Sequence, residues 1–197
     1  MHPRRRRLAF LLLAFVGGCA QAPSERLDAT RSPVAGVRVF VAEMPETTFA
    51  GEGSVPFVQT LQRNGLPVLD LVVLARAMPD LAALDRVWNE APRPQAATHA
   101  LVLTRQRVET VGAVNGGHYV RYEAVLWSAG SRRLVWKGSL ASLTNLYGQS
   151  AGKRMERLAG DTLRGLARDG FLTLPYAVPR DAAGAEIPAT LLSLRQL

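Results

Sequence analysis

The sequence predicts an α/β protein: a two-layer sandwich in which helices pack on one mixed sheet, with an antiparallel three-stranded meander in the C-terminal half. Three observations predict it. Short β-branched runs alternate with helical patterns in the first half of the chain. From Thr98 to Leu140, three strand-like runs follow one another with only turn sequences between them. A final segment repeats apolar residues at three- and four-residue steps, as a core-facing helix does. Strand, helix, strand, helix, three strands, helix is the order of a sheet with helices laid on it.

The elements follow in chain order. Val37-Arg-Val-Phe-Val41 is a β-branched run suited to a strand. Residues 45–53 read as a loop. A short helix follows over 54–65, with Ser54 as N-cap, Pro56 in the first turn and Gly65 at the left-handed position after the last turn. Phe57 and Leu61, four apart, share its buried side. Pro67 to Ala75 is an apolar run that fits a fully covered strand, with a buried helix as the rival reading. Pro79 to Trp88 restarts a helical pattern, which Pro92-Arg-Pro94 ends.

Thr98 to Val111 is a long strand that begins apolar and becomes amphipathic. Gly112 to Gly117 supplies a turn, with Asn115-Gly116 as a favoured hairpin tip. His118 to Trp127 alternates. Val120, Tyr122, Ala124 and Leu126 line one side, and Tyr119, Arg121, Glu123 and Val125 the other. On this parity Trp127 is the tryptophan expected to be exposed. Ser128 to Arg133 turns again, and Leu134 to Leu140 returns. The last helix carries Met155, Leu158, Ala159, Thr162, Leu163, Leu166 and Ala167 as one core stripe, with Lys153, Arg157, Asp161, Arg164 and Arg168 largely off it. Gly170 and Phe171 read as a Schellman stop. Phe171 to Leu174 fits an edge strand, and Tyr176 to Leu197 a partly irregular tail.

The N-terminus has a separate logic. Residues 1–7 hold four arginines, residues 8–16 are apolar, and small residues follow. That is the layout of a secretory signal. The apolar run is far short of the ~20 residues of a membrane-spanning helix. Cys19 is the single cysteine of the chain, so no intramolecular disulfide forms and the fold rests on packing. Beyond the leader, twenty basic residues face sixteen acidic ones, a net charge of +4 rather than the +8 of the whole chain. A mixed surface with that modest excess carries no nucleic-acid signature.

Val16-Gly17-Gly18-Cys19 resembles the lipobox of bacterial lipoproteins: an aliphatic residue, two small ones and a cysteine. The resemblance covers about the first 21 residues. It implies that the Cys19 thiol takes a diacylglyceryl group, that cleavage falls between Gly18 and Cys19, and that the new amino group is acylated. Ala20 in place of an aspartate implies, by the enteric sorting rule, the outer membrane. Domain organisation follows: a lipoprotein signal peptide over 1–18, a lipidated tether over 19–35, one α/β domain over 36–174 and a proline-containing tail over 175–197. Fully extended, residues 20–35 reach about 50 Å at most.

The order of elements, the hairpin ending in Arg133-Leu-Val-Trp136-Lys-Gly138 and the closing helix resemble small Gram-negative outer-membrane lipoproteins of the curli-assembly and penicillin-binding-protein-activator type. No binding residue transfers from that resemblance.

Candidate sites are few. His99 and His118 lie toward opposite ends of neighbouring strands, which argues against a shared metal. Gly112 to Gly117 lacks the lysine and strand-to-helix setting of a phosphate loop. Ser128, Ser131 and Ser139 have no nucleophile elbow and no placed base. Asp70, Asp80 and Asp85 are conceivable paired acids, although Asp80 and Asp85 fit exposed positions at a helix start. Tyr147 to Ser150 leads into the last helix, where Ser150 is an N-cap or, with Lys153 and Arg154, part of an anion site.

The expectation is a lipid-anchored, non-enzymatic envelope lipoprotein without a cofactor or metal, on the periplasmic face of the outer membrane. It would act through another envelope protein or through self-assembly. The alternative is an accessory lipoprotein that holds an anionic lipid or glycan on a basic surface of Lys153, Arg154, Arg164 and Arg168. A hydrolase is a third reading.

Overall fold

The computed structural model describes residues 23–28, 34–42, 50–74, 81–90, 94–111, 117–144 and 150–190. In order they form β1 (Ser24–Arg26), β2 (Val37–Ala42), α1 (Ala50–Arg63), β3 (Val68–Leu74), α2 (Leu81–Glu90), β4 (His99–Val111), β5 (Gly117–Ser128), β6 (Arg133–Thr144) and α3 (Ala151–Arg168). One open six-stranded sheet has the order β1-β6-β5-β4-β2-β3. β2 runs parallel to both β3 and β4, while β4, β5 and β6 form the expected antiparallel meander, so the sheet is mixed. The crossovers that parallel pairing demands are supplied by α1 and α2.

The larger core lies between the sheet and the α1–α3 pair. Val37, Val39, Leu101, Leu103, Ala124 and Leu126 meet Phe57, Leu61, Leu158, Leu163 and Leu166 there, all buried. Both helices stop as their sequences predict. Gly65 and Gly170 adopt φ of 91° and 80°. The amide of Leu66 donates to Leu61 O and that of Phe171 to Leu166 O, the long bond of a Schellman motif in each case. Ser150 caps α3 by accepting from the Lys153 amide at 3.3 Å.

Trp136 of β6 sits at the centre of a tightly constrained packing. A Cβ on Gly138, two residues along the same strand, would lie 2.5 Å from its ring; one on Gly165 of α3 would lie 2.7 Å from it. Both glycines are therefore required by close approach. The indole Nε1 donates to Asp169 Oδ2 at 2.8 Å, and Ser24 Oγ of β1 donates to the same oxygen at 2.5 Å. Thus β1, β6 and the end of α3 converge on one fully buried indole.

α2 covers the reverse side of the sheet, where Phe40, Ala100, Val102 and Trp127 pack under Leu84 and Trp88. Trp127 is 2% exposed, which corrects the expectation that it faces solvent. Arg121 and Glu123 lie farther along β5, but register places Trp127 opposite Ala100, beneath α2, with its ring 5.4 Å from Trp88. Arg38, 1% exposed, lies in the same layer. Its Nε reaches both carboxylate oxygens of Asp70, at 3.1 and 3.0 Å, and its guanidinium lies over the Phe40 and Trp88 rings.

Other expectations need correction. α1 begins at Ala50, so Ser54 is a buried residue within it and not its cap, and Pro56 lies inside the helix. The 67–75 run is a strand, as β3, but an edge strand, with Leu69 and Val73 40% and 45% exposed. Asp161 is buried rather than off the α3 stripe, because the chain after α3 folds back over it. Residues 171–174 form no strand. The stretch read as a tether contributes β1, which pairs antiparallel with β6. Residues 176–190 are irregular as expected, yet they are tied down. Asn64 Nδ2 donates to Arg180 O and accepts, through Oδ1, from the Arg180 amide, while Ile187 is buried against Gly160. The expected turn over 112–116 lies outside the described residues.

Substituting Gly165 with valine should test the indole slot. Relief of the helical glycine penalty, about 1 kcal/mol, opposes an overpacking cost of about 1–3 kcal/mol. We expect a net loss of stability in urea unfolding and a shifted tryptophan emission, whereas glycine-to-alanine replacement at exposed Gly130 should leave the emission unchanged.

Candidate functional site

Four basic residues of α3 were expected to form one anion-binding surface. Lys153 and Arg168 are fifteen residues apart, about 22 Å along a helix axis, so the set divides between the two ends. Each end is supplied with acids of the chain itself. Lys153 Nζ bonds Glu156 and Asp181, both at 3.0 Å. These bonds raise the Lys153 pKa and the Lys153 contact lowers that of Asp181. Arg164 bonds Asp161 at 2.9 Å and also donates to the carbonyl of Ile187. Arg168 contacts Asp169 at 3.4 Å and donates to Ser24 Oγ. Arg154 is partly buried, near enough to Tyr122 to act on its hydroxyl. Burial raises the Tyr122 pKa, and the charges of Arg105 and Arg154 oppose that shift.

The acids considered as a pair separate as well. Asp70 serves Arg38, and Asp85 lies 3.6 Å from Arg132; Asp80 is outside the described residues. Ser128 is buried, and its hydroxyl accepts from the Ser131 amide at 3.5 Å in the β5–β6 turn. Ser131 and Ser139 are exposed. Among the described residues no group of three His, Cys, Asp or Glu could hold a metal ion, and no helix is long and apolar enough to cross a membrane. His118 pairs with Thr110 at the far end of β4 from His99, about 35 Å of strand away. Gly18 and Cys19 lie outside the described residues.

The surface that remains distinctive is apolar. β3 ends the sheet, so one side of its backbone has no strand partner within the described chain. Leu69 and Val73 project from it on one face two pleats apart, and Val55 of α1 is also exposed. Edge strands in single-chain folds are usually blunted by charge or proline. β3 carries only Asp70, and that carboxylate is turned to Arg38 on the other face. Neither the exposed edge nor the indole slot was foreseen from the sequence. The one readable sign of the slot was a tryptophan two residues before a glycine, a spacing that puts both on one side of a strand.

No protein-family model matches the sequence, and no curated protein matches it. Solved structures do. The PelC dodecamer from Paraburkholderia phytofirmans is similar over 77% of this chain and 99% of that chain, at 15% identity and a TM-score of 0.50. Lipoprotein GNA1162 from Neisseria meningitidis is similar over 68% of this chain and 99% of that chain, at 16% identity and a TM-score of 0.40. The likeness is one of fold.

His99 gives a pH test of the buried layer. It is 2% exposed, its Nδ1 lies 2.9 Å from Thr98 Oγ1, and burial lowers its pKa below the ordinary 6.5. The unfolded chain therefore takes up a proton first as pH falls. The stabilisation due to neutral His99 is complete above pH 6.5 and is lost as pH drops toward the lowered folded value. Urea midpoints at pH 7.5 and 5.5 should differ more for the wild type than for His99→Gln.

Proposed function

We propose that the protein is a lipid-anchored envelope lipoprotein, facing the periplasm from the outer membrane, that acts without catalysis by assembling with copies of itself. The observation that carries the reading is the lipobox, Val16-Gly17-Gly18-Cys19, behind a basic and then apolar leader. With no second cysteine in the chain, lipid attachment is the chemistry that explains Cys19.

The non-enzymatic part is supported by how the chain uses its ionisable groups. Arg38–Asp70 ties β2 to β3, Asp161–Arg164 receives the segment after α3, and Asp169 holds Trp136 and Ser24. Each is a link between elements. The self-assembly part is supported by the open β3 edge with Leu69 and Val73. It is also supported by the assembly of a protein of similar fold, the dodecamer of Paraburkholderia phytofirmans PelC. Adding a strand to such an edge satisfies the exposed backbone groups, and the apolar side chains supply burial.

Two experiments test this. In cells given labelled palmitate, the wild-type protein should take up label and fractionate with the outer membrane. Cys19→Ser should take up none and accumulate as uncut precursor or released protein. Normal processing and membrane retention of Cys19→Ser would refute the anchor. For assembly, light scattering of the domain lacking residues 1–19 should show multimers that Leu69→Asp with Val73→Lys reduces to monomers. A monomeric wild type at high concentration would refute it.

A further inference from the structure

The start of the described chain is fixed to the body of the domain at several points. The Ser139 amide donates to Pro23 O at 3.0 Å and the Leu27 amide to Val135 O at 2.9 Å, so pairing with β6 runs from Pro23 to Leu27. Ser24 Oγ donates to Asp169 and accepts from Arg168. The Arg26 guanidinium lies 5.0 Å from the Phe171 ring centroid, and its Nε donates to Asp28 O at 2.6 Å. These contacts join β1 both to the sheet edge and to the C-terminal end of α3.

Cys19 and Pro23 are separated by three residues, Ala20, Gln21 and Ala22. Four Cα steps span about 14 Å even when fully extended. This is much shorter than the 50 Å available if the chain were free as far as residue 35. The opposite edge, β3, is five strand spacings from β1, about 24 Å across the sheet.

Resting on the lipid anchor proposed above, we infer that the β1 edge, together with the C-terminal end of α3, is a docking surface for the bilayer that holds the Cys19 acyl chains. Four steps of chain keep Pro23 within about 14 Å of the lipidated residue. Leu27, 44% exposed at the end of the same edge, is the large apolar side chain available there to meet the interface. The clamp of Ser24 on Asp169 is what makes the leash short. It orients the sheet so that the β3 edge, proposed for self-assembly, is remote from the anchor.

The test uses the full-length lipidated protein in vesicles of phosphatidylethanolamine and phosphatidylglycerol. A fluorophore is placed at Glu25→Cys or at Val73→Cys, both exposed sites, with at most one protein per vesicle so that no second copy covers position 73, and quenchers are carried on the lipid headgroups. Quenching should be several-fold stronger at position 25 than at position 73. Inserting ten glycine and serine residues after Ala22 lengthens the leash without touching the fold and should abolish most of that difference, as should Asp169→Ala if the variant folds. Equal quenching at both sites in a protein that carries its acyl chains would overturn the docking inference and leave the lipoprotein reading intact. Absence of acyl chains on Cys19 would defeat both.

Discussion

The rest of the structure depends on the indole of Trp136. It is fully buried, between a glycine of its own strand and a glycine of α3, with its N–H taken by Asp169. A side chain at either glycine would push α3 away from the sheet. With α3 displaced, Leu158, Leu163 and Leu166 would lose their seat against the strands. The same carboxylate oxygen that receives the indole also receives Ser24, so the docking of the last helix and the attachment of the first strand are one event. Packing of this density tolerates little change in volume, and it compensates for the lack of any disulfide in the chain.

Local features of the fold were legible in the sequence and long-range ones were not. The core stripe of α3, its Ser150 cap and the two glycine stops depend on residues within one or two turns, and they are where the periodicity puts them. The meander was readable because its strands alternate and its turns are short. Trp127 was misread because the reverse side of β5 changes character along its length. It carries the half-buried Arg121 and Glu123 toward one end but is covered by α2 near Ala100, and only register reveals that. Asp161 was misread for a similar reason, since its partner Thr190 comes from a segment with no pattern of its own. β1 was invisible: three residues, Ser-Glu-Arg, have no strand propensity, and what holds them is an aspartate at the other end of the chain.

The basic surface expected on α3 shows what composition conceals. Lys153, Arg164 and Arg168 look like free charges when read along the helix. In the fold, the return of the chain after Pro175 brings Asp181 to Lys153 and the Ile187 carbonyl to Arg164, and the start of the chain brings Ser24 to Arg168. The helix thus fastens both ends of the described chain. The apolar β3 edge, by contrast, has no strand partner among the described residues, and the proposed self-assembly rests on it.

The contact between Ser24 and Asp169 spans 145 residues, and chains are made from the N-terminus onward. β1 is among the earliest of the described segments to be synthesised, but its partners are a strand and a helix end made near the close of synthesis. The meander, built from neighbours in sequence, can form without it, whereas closing a loop of this length comes late. β1 therefore stays unpaired until β6 and the end of α3 have been made. Completion of α3 supplies Asp169, so the first described strand and the last helix become fixed together.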